Sequence, residues 1–218
     1  MVDIKEKLNI YKENLVQWNK VMNLTAITDS NEIDKLHFED SLSLNKIYDF
    51  SGKKVIDIGT GAGFPGLPLK IADDSISLTL LDSLDKRLNF LRDTLEKLSI
   101  DDVTLIHARA EEIPKGFREN FDIAVSRAVA RLNVLAEFCI PYVSVGGVFI
   151  AMKGPDFEEE LEEAKPAIKM LGAKCEKCVS YCIDGTDITH SAIIIRKTEP
   201  TPSKYPRRFA QIKKSPLR

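Results

Sequence analysis

The stretch VIDIGTGAGFPGLPL, Val55 to Leu69, sets four glycines and two prolines directly behind a short apolar run. A short strand that turns at once into so flexible a bend, and then into a helix begun by Pro65, is the opening of a β–α unit. The strand after such a helix lies parallel to the first, because the helix carries the chain back along the sheet. This one segment therefore predicts an α/β protein built on a parallel sheet.

The pattern after Gly52 agrees. KVIDI (54–58), SLTLLD (77–82), VTLIHA (103–108), FDIAVS (121–126) and GGVFIAMK (146–153) read as strands, with helices over about 84–98 and 131–140 between them. Strands alternating with helices imply helices on both faces of the sheet. The ending differs. A helix over about 156–171 leads into AKCEKCVSYCI, a turn at Asp184-Gly185 and SAIIIRK (191–197), a terminal strand pair that must be antiparallel. Ahead of the sheet, Ile4, Leu8, Tyr11, Leu15, Trp18 and Met22 recur at helical spacing, predicting a helix over about 3–21. A second helix is expected over about 31–47, with Ser30 as its N-cap. No Pro/Gly-rich linker interrupts the chain, so residues 1–218 are expected to form a single domain: a helical extension (1–50), a core (51–199) and a tail (200–218).

Composition removes several classes of protein. No apolar run approaches the roughly 20 residues that span a bilayer, and the charged start MVDIKEKLNIYKENL is no secretory signal. A cytoplasmic protein without membrane contact is the expectation. Cys175, Cys178 and Cys182 cluster near His190, which raises the idea of a zinc site; a half-buried strand using cysteine as a small hydrophobe is the preferred reading, with no metal. Beneath a net charge of −2 the tail TPSKYPRRFAQIKKSPLR carries Lys204, Arg207, Arg208, Lys213, Lys214 and Arg218 with no acid. On charge alone this is either a phosphate contact or a solvated terminus.

The glycine loop narrows the ligand. No Lys follows Gly66, so it is not a phosphate-binding P-loop. Literal GxGxxG occurs at Gly61, Gly63 and Gly66, but a dehydrogenase strand would run straight into the first glycine, and here that glycine is Gly59. The better frame is Asp57-Ile58-Gly59-Thr60-Gly61-Ala62-Gly63. A helix start with no acid nearby favours a pyrophosphate; a carboxylate at the strand end suits a ligand with a cationic end, such as the ammonium of S-adenosylmethionine (SAM). Asp82 ends the second strand about twenty residues later, where an acid binds both ribose hydroxyls, a feature that NAD and SAM sites share. Ala110-Glu111 follows the third strand, where an adenine edge would lie, although Glu111 also reads as an exposed helix-start acid. Five parallel strands closed by an antiparallel pair match the Rossmann-like fold common among SAM-dependent methyltransferases. An NAD oxidoreductase and a SAM-binding regulator remain the competing classes.

Taken together, these segments resemble a family. WNKVMNLTAI (18–27), HFEDSLS (37–43), VIDIGTGAGFPGLPL, TLLDSLDKRLNFLR (79–92), RAEE (109–112), SRAVA (126–130), MKG (152–154), YPRR and the final SPLR are similar to the bacterial 16S rRNA guanine-N7 methyltransferases of the RsmG or GidB type. One departure is Val129, where many members carry Phe. The resemblance implies SAM bound at Gly59, Phe64, Ala110, Glu111 and Arg127; the reading of the loop and of the second strand adds Asp57, Gly61, Gly63 and Asp82 to the cofactor set. It implies as substrate one guanine of the decoding region of small-subunit rRNA. Arg87, Arg127, Lys153, Arg207 and Arg208 are then the expected RNA contacts, Arg127 also positioning the acceptor. Guanine N7 suits the residues, because its lone pair needs no general base. The Asn/Asp-Pro-Pro-aromatic segment of amine methylation is replaced by Ser126-Arg127-Ala128-Val129, and Cys139 sits among apolar neighbours rather than as a nucleophile. A monomer is expected.

Overall fold

A computed structural model of the chain describes residues 3–127 and 129–217; Ala128 of the SRAVA segment and Arg218 of the tail lie outside them. The sheet has seven strands: β1 (Lys54–Ile58), β2 (Ser77–Asp82), β3 (Thr104–His107), β4 (Phe121–Arg127), β5 (Val143–Lys153), β6 (Ala173–Cys182) and β7 (Thr189–Lys197). Their order is β3-β2-β1-β4-β5-β7-β6. β1 to β5 pair parallel, and β7 inserts antiparallel between β5 and β6. The strand order reverses between β1 and β4, with β2 and β3 laid down on one side and β5 on the other, so the carboxyl ends of these parallel strands open on a crevice, the usual ligand position in such sheets.

Side chains alternate along each strand and so build two cores. Val55, Leu78, Leu80 and Val125 face α1 (Ile4–Asn19), α4 (Gly66–Ala72) and α5 (Asp85–Lys97). Ile56, Ile58, Phe149 and Ile193 face α6 (Leu132–Cys139), α7 (Glu158–Met170) and the tail helix α8 (Phe209–Lys214). The helical cap is tied to α5 by polar bonds: Trp18 Nε1 donates to Asp93 at 2.7 Å, and Asn14 Nδ2 to Thr94 at 2.9 Å.

Two local expectations need correction. The second helix is capped by Asp29, not Ser30; its carboxylate accepts from the N–H groups of Asn31 and Glu32. The run is also not one regular helix. It passes from α2 (Ser30–Ile33) through a π turn (Asp34–Glu39) to α3 (Asp40–Leu42) and a 3-10 turn (Ser43–Lys46). Secondly, α4 starts at Gly66, after Pro65 rather than on it, because Asp57 of β1 accepts the Gly66 N–H at 2.9 Å and so sets the first turn. Cys175 and Cys178 do lie on a half-buried strand, with their sulfurs 3.8 Å apart across a bulge, while His190 turns toward Asp40.

Candidate active site

The crevice holds a cavity of about 500 Å³, within the range of small-molecule sites. Its floor is the backbone of Gly59 to Ala62, its far wall Asp82 and the Ala108–Glu111 loop after β3. Asp82 is almost fully buried yet lines the space, and organises it: it accepts from the N–H groups of Gly61 and Leu84 at 2.9 Å and pairs with Arg87 at 3.2 Å. Leu81, Ala108, Ala110 and Phe138 supply apolar lining at that end.

Not every expected cofactor residue faces the cavity. Gly63 lies beneath it. At φ +97°, a Cβ there would sit 2.6 Å from the Tyr11 hydroxyl and 2.8 Å from Leu91, so glycine is required by the packing of α1 and α5 on the loop. Asp57 is likewise fully buried behind the loop. Its Oδ2 accepts from the Thr60 hydroxyl at 2.7 Å and from Gly66 N–H, while Oδ1 is the one buried side-chain polar atom without a partner among the described residues. Burial pushes this carboxyl up from 3.8 to about 6, against the hydrogen bonds from Thr60 and Gly66. A carboxylate with one oxygen unpartnered under the loop favours a cation in the space above, which is the character of the methionyl end of SAM.

That placement predicts a pH effect of definite sign. A bound cation favours the ionised carboxylate, so binding returns its pKa toward the ordinary value. SAM affinity should therefore rise with pH and level off above about 6, with a loss of about tenfold near pH 5 relative to neutrality. Calorimetric titration of ligand-stripped protein reads this, and Asp57→Asn should flatten the curve; a wild-type affinity independent of pH would refute the coupling. The effect on folding has the opposite sense. Since the folded chain keeps this proton to higher pH than the unfolded one, stability falls as pH rises from about 4 to about 6.

The remaining wall joins Phe64 and Arg127, both expected at the site, to Thr25, His37 and Asp40, which local sequence reasoning left without a role. Phe64 stacks with His37 (centroids 4.4 Å apart) and with Tyr11 (5.4 Å), and the Arg127 guanidinium lies 5.0 Å over its ring. Arg127 donates to Leu36 O at 3.1 Å, Asp40 Oδ2 at 2.9 Å and His37 Nδ1 at 3.0 Å. Burial first, and then the Arg127 charge, lower His37 from 6.5 to about 4. The ring is thus neutral near pH 7; with Nδ1 accepting, its Nε2–H donates to Thr25 Oγ1 at 2.8 Å. Asp40 takes Tyr181 OH and His190 Nδ1 on its other oxygen, at 2.8 and 2.9 Å. Burial works to raise the Asp40 carboxyl, but the His190 hydrogen bond and the Arg127 charge hold it below its ordinary value. The signal for this cluster was the HFEDSLS segment, whose His37 and Asp40 lie three apart on one helical face.

The tail contributes too. Phe209 of α8 lines the cavity beside Phe138, their rings stacked at 6.4 Å, with Arg109 over Phe209 at 5.3 Å. The expected RNA contacts divide. Arg207 is committed to the fully buried Glu137, and Lys153 to Ala130 O and Glu160 at 2.7 Å each; both are structural pairs rather than free cations. Arg208 is exposed, and Arg87 stays at the cavity rim on Asp82.

Comparison with solved structures places this architecture. The chain superposes on TYW2 of M. jannaschii, solved in complex with AdoMet, with a TM-score of 0.58 at 13% identity, covering 73% of this chain and 74% of that one. It superposes on TrmN of Thermus thermophilus with a TM-score of 0.56 at 17% identity, covering 72% and 48%. The fold is the Rossmann-like fold of SAM-dependent methyltransferases. Within that class the chain belongs to the GidB family, rRNA small subunit methyltransferase G, whose family model matches residues 4–187. Among its relatives, ribosomal RNA small subunit methyltransferase G of Clostridium perfringens (strain SM101 / Type A) is 49% identical over 99% of this chain and 92% of its own length. That of Alkaliphilus oremlandii (strain OhILAs) is 49% identical over 95% and 88%.

Proposed function

We propose that this chain transfers a methyl group from SAM to N7 of one guanine in the decoding region of small-subunit (16S) rRNA, acting in the cytoplasm as one methyltransferase unit that includes the helical cap and the tail. The observation that carries the proposal is the full-length similarity to the small-subunit rRNA methyltransferases, 49% identity over 99% of the chain. The cavity fits the cofactor: backbone from Gly59 to Ala62, Asp82 for a ribose, apolar groups with Glu111 for an adenine, and the Asp57 charge beneath. Bound SAM supplies a sulfonium methyl, a strong electrophile.

The protein's own part is alignment and exclusion of water. The residues beside the cavity support a nucleophile that needs no deprotonation. Both oxygens of Asp40 are occupied by donors, and His37 uses both ring nitrogens on Arg127 and Thr25. Guanine N7 brings its own lone pair, the new N–C bond forms as the C–S bond breaks, and no proton moves. Arg87 at the rim and the exposed Arg208 are the proposed phosphate contacts.

The experiment is to incubate undermethylated small subunits with labelled SAM and to map N7-methylguanine by chemical cleavage of the rRNA. A single labelled guanine in the decoding region is expected. Transfer to a small metabolite instead, or no transfer to rRNA, overturns the proposal.

A further inference from the structure

The outer strand β6 carries the run Cys175-Glu176-Lys177-Cys178, a C-x-x-C spacing. On a regular strand side chains alternate, so residues three apart point to opposite faces of the sheet. Here they do not. The pairing with β7 slips between Cys175 and Lys177, which face Ile195 and Ile194, so Glu176 is the extra residue of a β-bulge. Arg196 of β7 holds its carboxylate at 2.5 Å. Beyond the bulge the alternation is inverted. Val179 and Tyr181 pack on the core beneath the helical cap, whereas Cys178 joins Cys175 against the core of α6 and α7.

The bulge therefore puts both thiols on one face, opposite Ile195 and Ile193, which are two residues apart on β7. Strand rise gives such positions a Cα separation of about 6.8 Å, the long end of what a disulfide spans. The two sulfurs already meet at 3.8 Å, and both residues are half-buried. The other thiols stand apart: Cys139 is fully buried, and the exposed Cys182 turns its sulfur to Thr186 O at 3.0 Å. Burial first, and then the neighbouring Cys175, push the Cys178 thiol above its ordinary value; from α7, Glu158 adds to this and Lys165 opposes it. Cys178 thus keeps its proton, and Cys175 is the sulfur that reacts first.

We propose that Cys175 and Cys178 form a reversible thiol–disulfide site on the outer strand of the sheet, oxidised by exchange with small-molecule disulfides. The inference does not depend on the methyl-transfer reaction, since among the described residues none of β6 lines the cofactor cavity. In the first step the Cys175 thiolate attacks one sulfur of R–S–S–R; a mixed disulfide forms, and RS− leaves and takes up the proton that Cys175 had shed. In the second, Cys178 attacks the Cys175 sulfur and its proton passes to the second RS− as that group leaves. Two cysteine thiols are oxidised and one R–S–S–R is reduced to two RSH. Because the Cα spacing is at the long limit, the closed form is readily reduced again, as labile rather than structural disulfides are. In a reducing compartment such a pair rests as the dithiol.

The test treats the folded chain with oxidised glutathione in a Cys182→Ser background, which removes the exposed thiol and leaves Cys139, Cys175 and Cys178. Thiols are then counted after unfolding, and the intact mass is measured. Free thiols should fall from three to one with the loss of two hydrogens, and dithiothreitol should restore all three. Adding Cys178→Ser should stop the reaction at one glutathionyl group, located on Cys175. Adding Cys175→Ser instead should leave Cys178 unmodified over the same period. Calorimetric SAM affinity, unchanged in each variant, shows that the chain is folded. Three thiols still free after treatment, glutathionyl groups on both cysteines without an internal bond, or disulfide-linked pairs of chains would each overturn the site.

Discussion

Replacing Arg207 with alanine should destabilise the protein by about 3–5 kcal/mol, the cost of stranding a buried carboxylate. For a chain of this length that is a fall in Tm of roughly 6–20 °C. Glu137 on α6 is fully buried, and Arg207 meets it with its backbone N–H at 2.8 Å and with Nε and Nη2 at 2.9 and 2.7 Å. Arg118 holds the same segment by the carbonyls of Thr201 and Tyr205, each at 2.8 Å. Arg208, one residue on, is exposed, and its alanine variant should stay within about 0.5 kcal/mol of wild type. Urea unfolding of the two variants separates them. Because Arg207 also steers α8, and Phe209 with it, over the cofactor cavity, its loss should weaken SAM binding as well. If Arg207→Ala kept the wild-type Tm and instead flattened the salt dependence of RNA binding, the residue would be a phosphate contact after all.

This pair illustrates what the sequence conceals. The tail reads as six basic residues without an acid, and a charge count alone leaves it free to meet phosphate. Its partner Glu137 lies 70 residues away inside an apolar helix, and no local pattern links the two. Asp57 behaves similarly. Its place before the glycines announces a site, and its alternation with Val55 puts it on the cap-facing side of β1, yet only the fold shows that its carboxylate starts α4 and leaves one oxygen unpaired. The sheet, by contrast, was legible because strand alternation and glycine turns are local signals, and β1 and β2 fall where the pattern placed them. The π turn was not, since its apolar spacing is close to that of an ordinary helix. It nevertheless lies within the run that brings His37 and Asp40 to Arg127, on which the site depends.

Arg127→Ala should lower kcat/KM for methyl transfer by about 100-fold, the scale of a misaligned reacting group. The guanidinium is a fork that joins three separate pieces: the Leu36 carbonyl, the Asp40 carboxylate and the His37 ring, with the Phe64 face beneath. Without it Asp40 remains buried with only His190 and Tyr181 as donors, and the cavity wall loses its rigid member. Arg127→Lys keeps the charge but offers a point donor in place of the planar fork, so it should recover only a small part of the lost rate. A pH profile distinguishes this role from a general loss of packing. In the wild type, burial and Arg127 keep His37 neutral down to about 4. Removing the guanidinium takes away the second of these causes, so the imidazole rises toward its ordinary value. Burial still holds it down, but it protonates at higher pH than in the wild type, placing an uncompensated charge in the wall. Single-turnover transfer by Arg127→Ala should accordingly show an acid limb at higher pH than wild type, part of it from Asp57, whose carboxyl the same guanidinium lowers, and part from His37. His37→Gln in the same background should abolish the part from His37. Wild-type turnover in Arg127→Ala, or an identical pH profile in the single and double variants, would remove Arg127 from the wall and make it an ordinary ion pair.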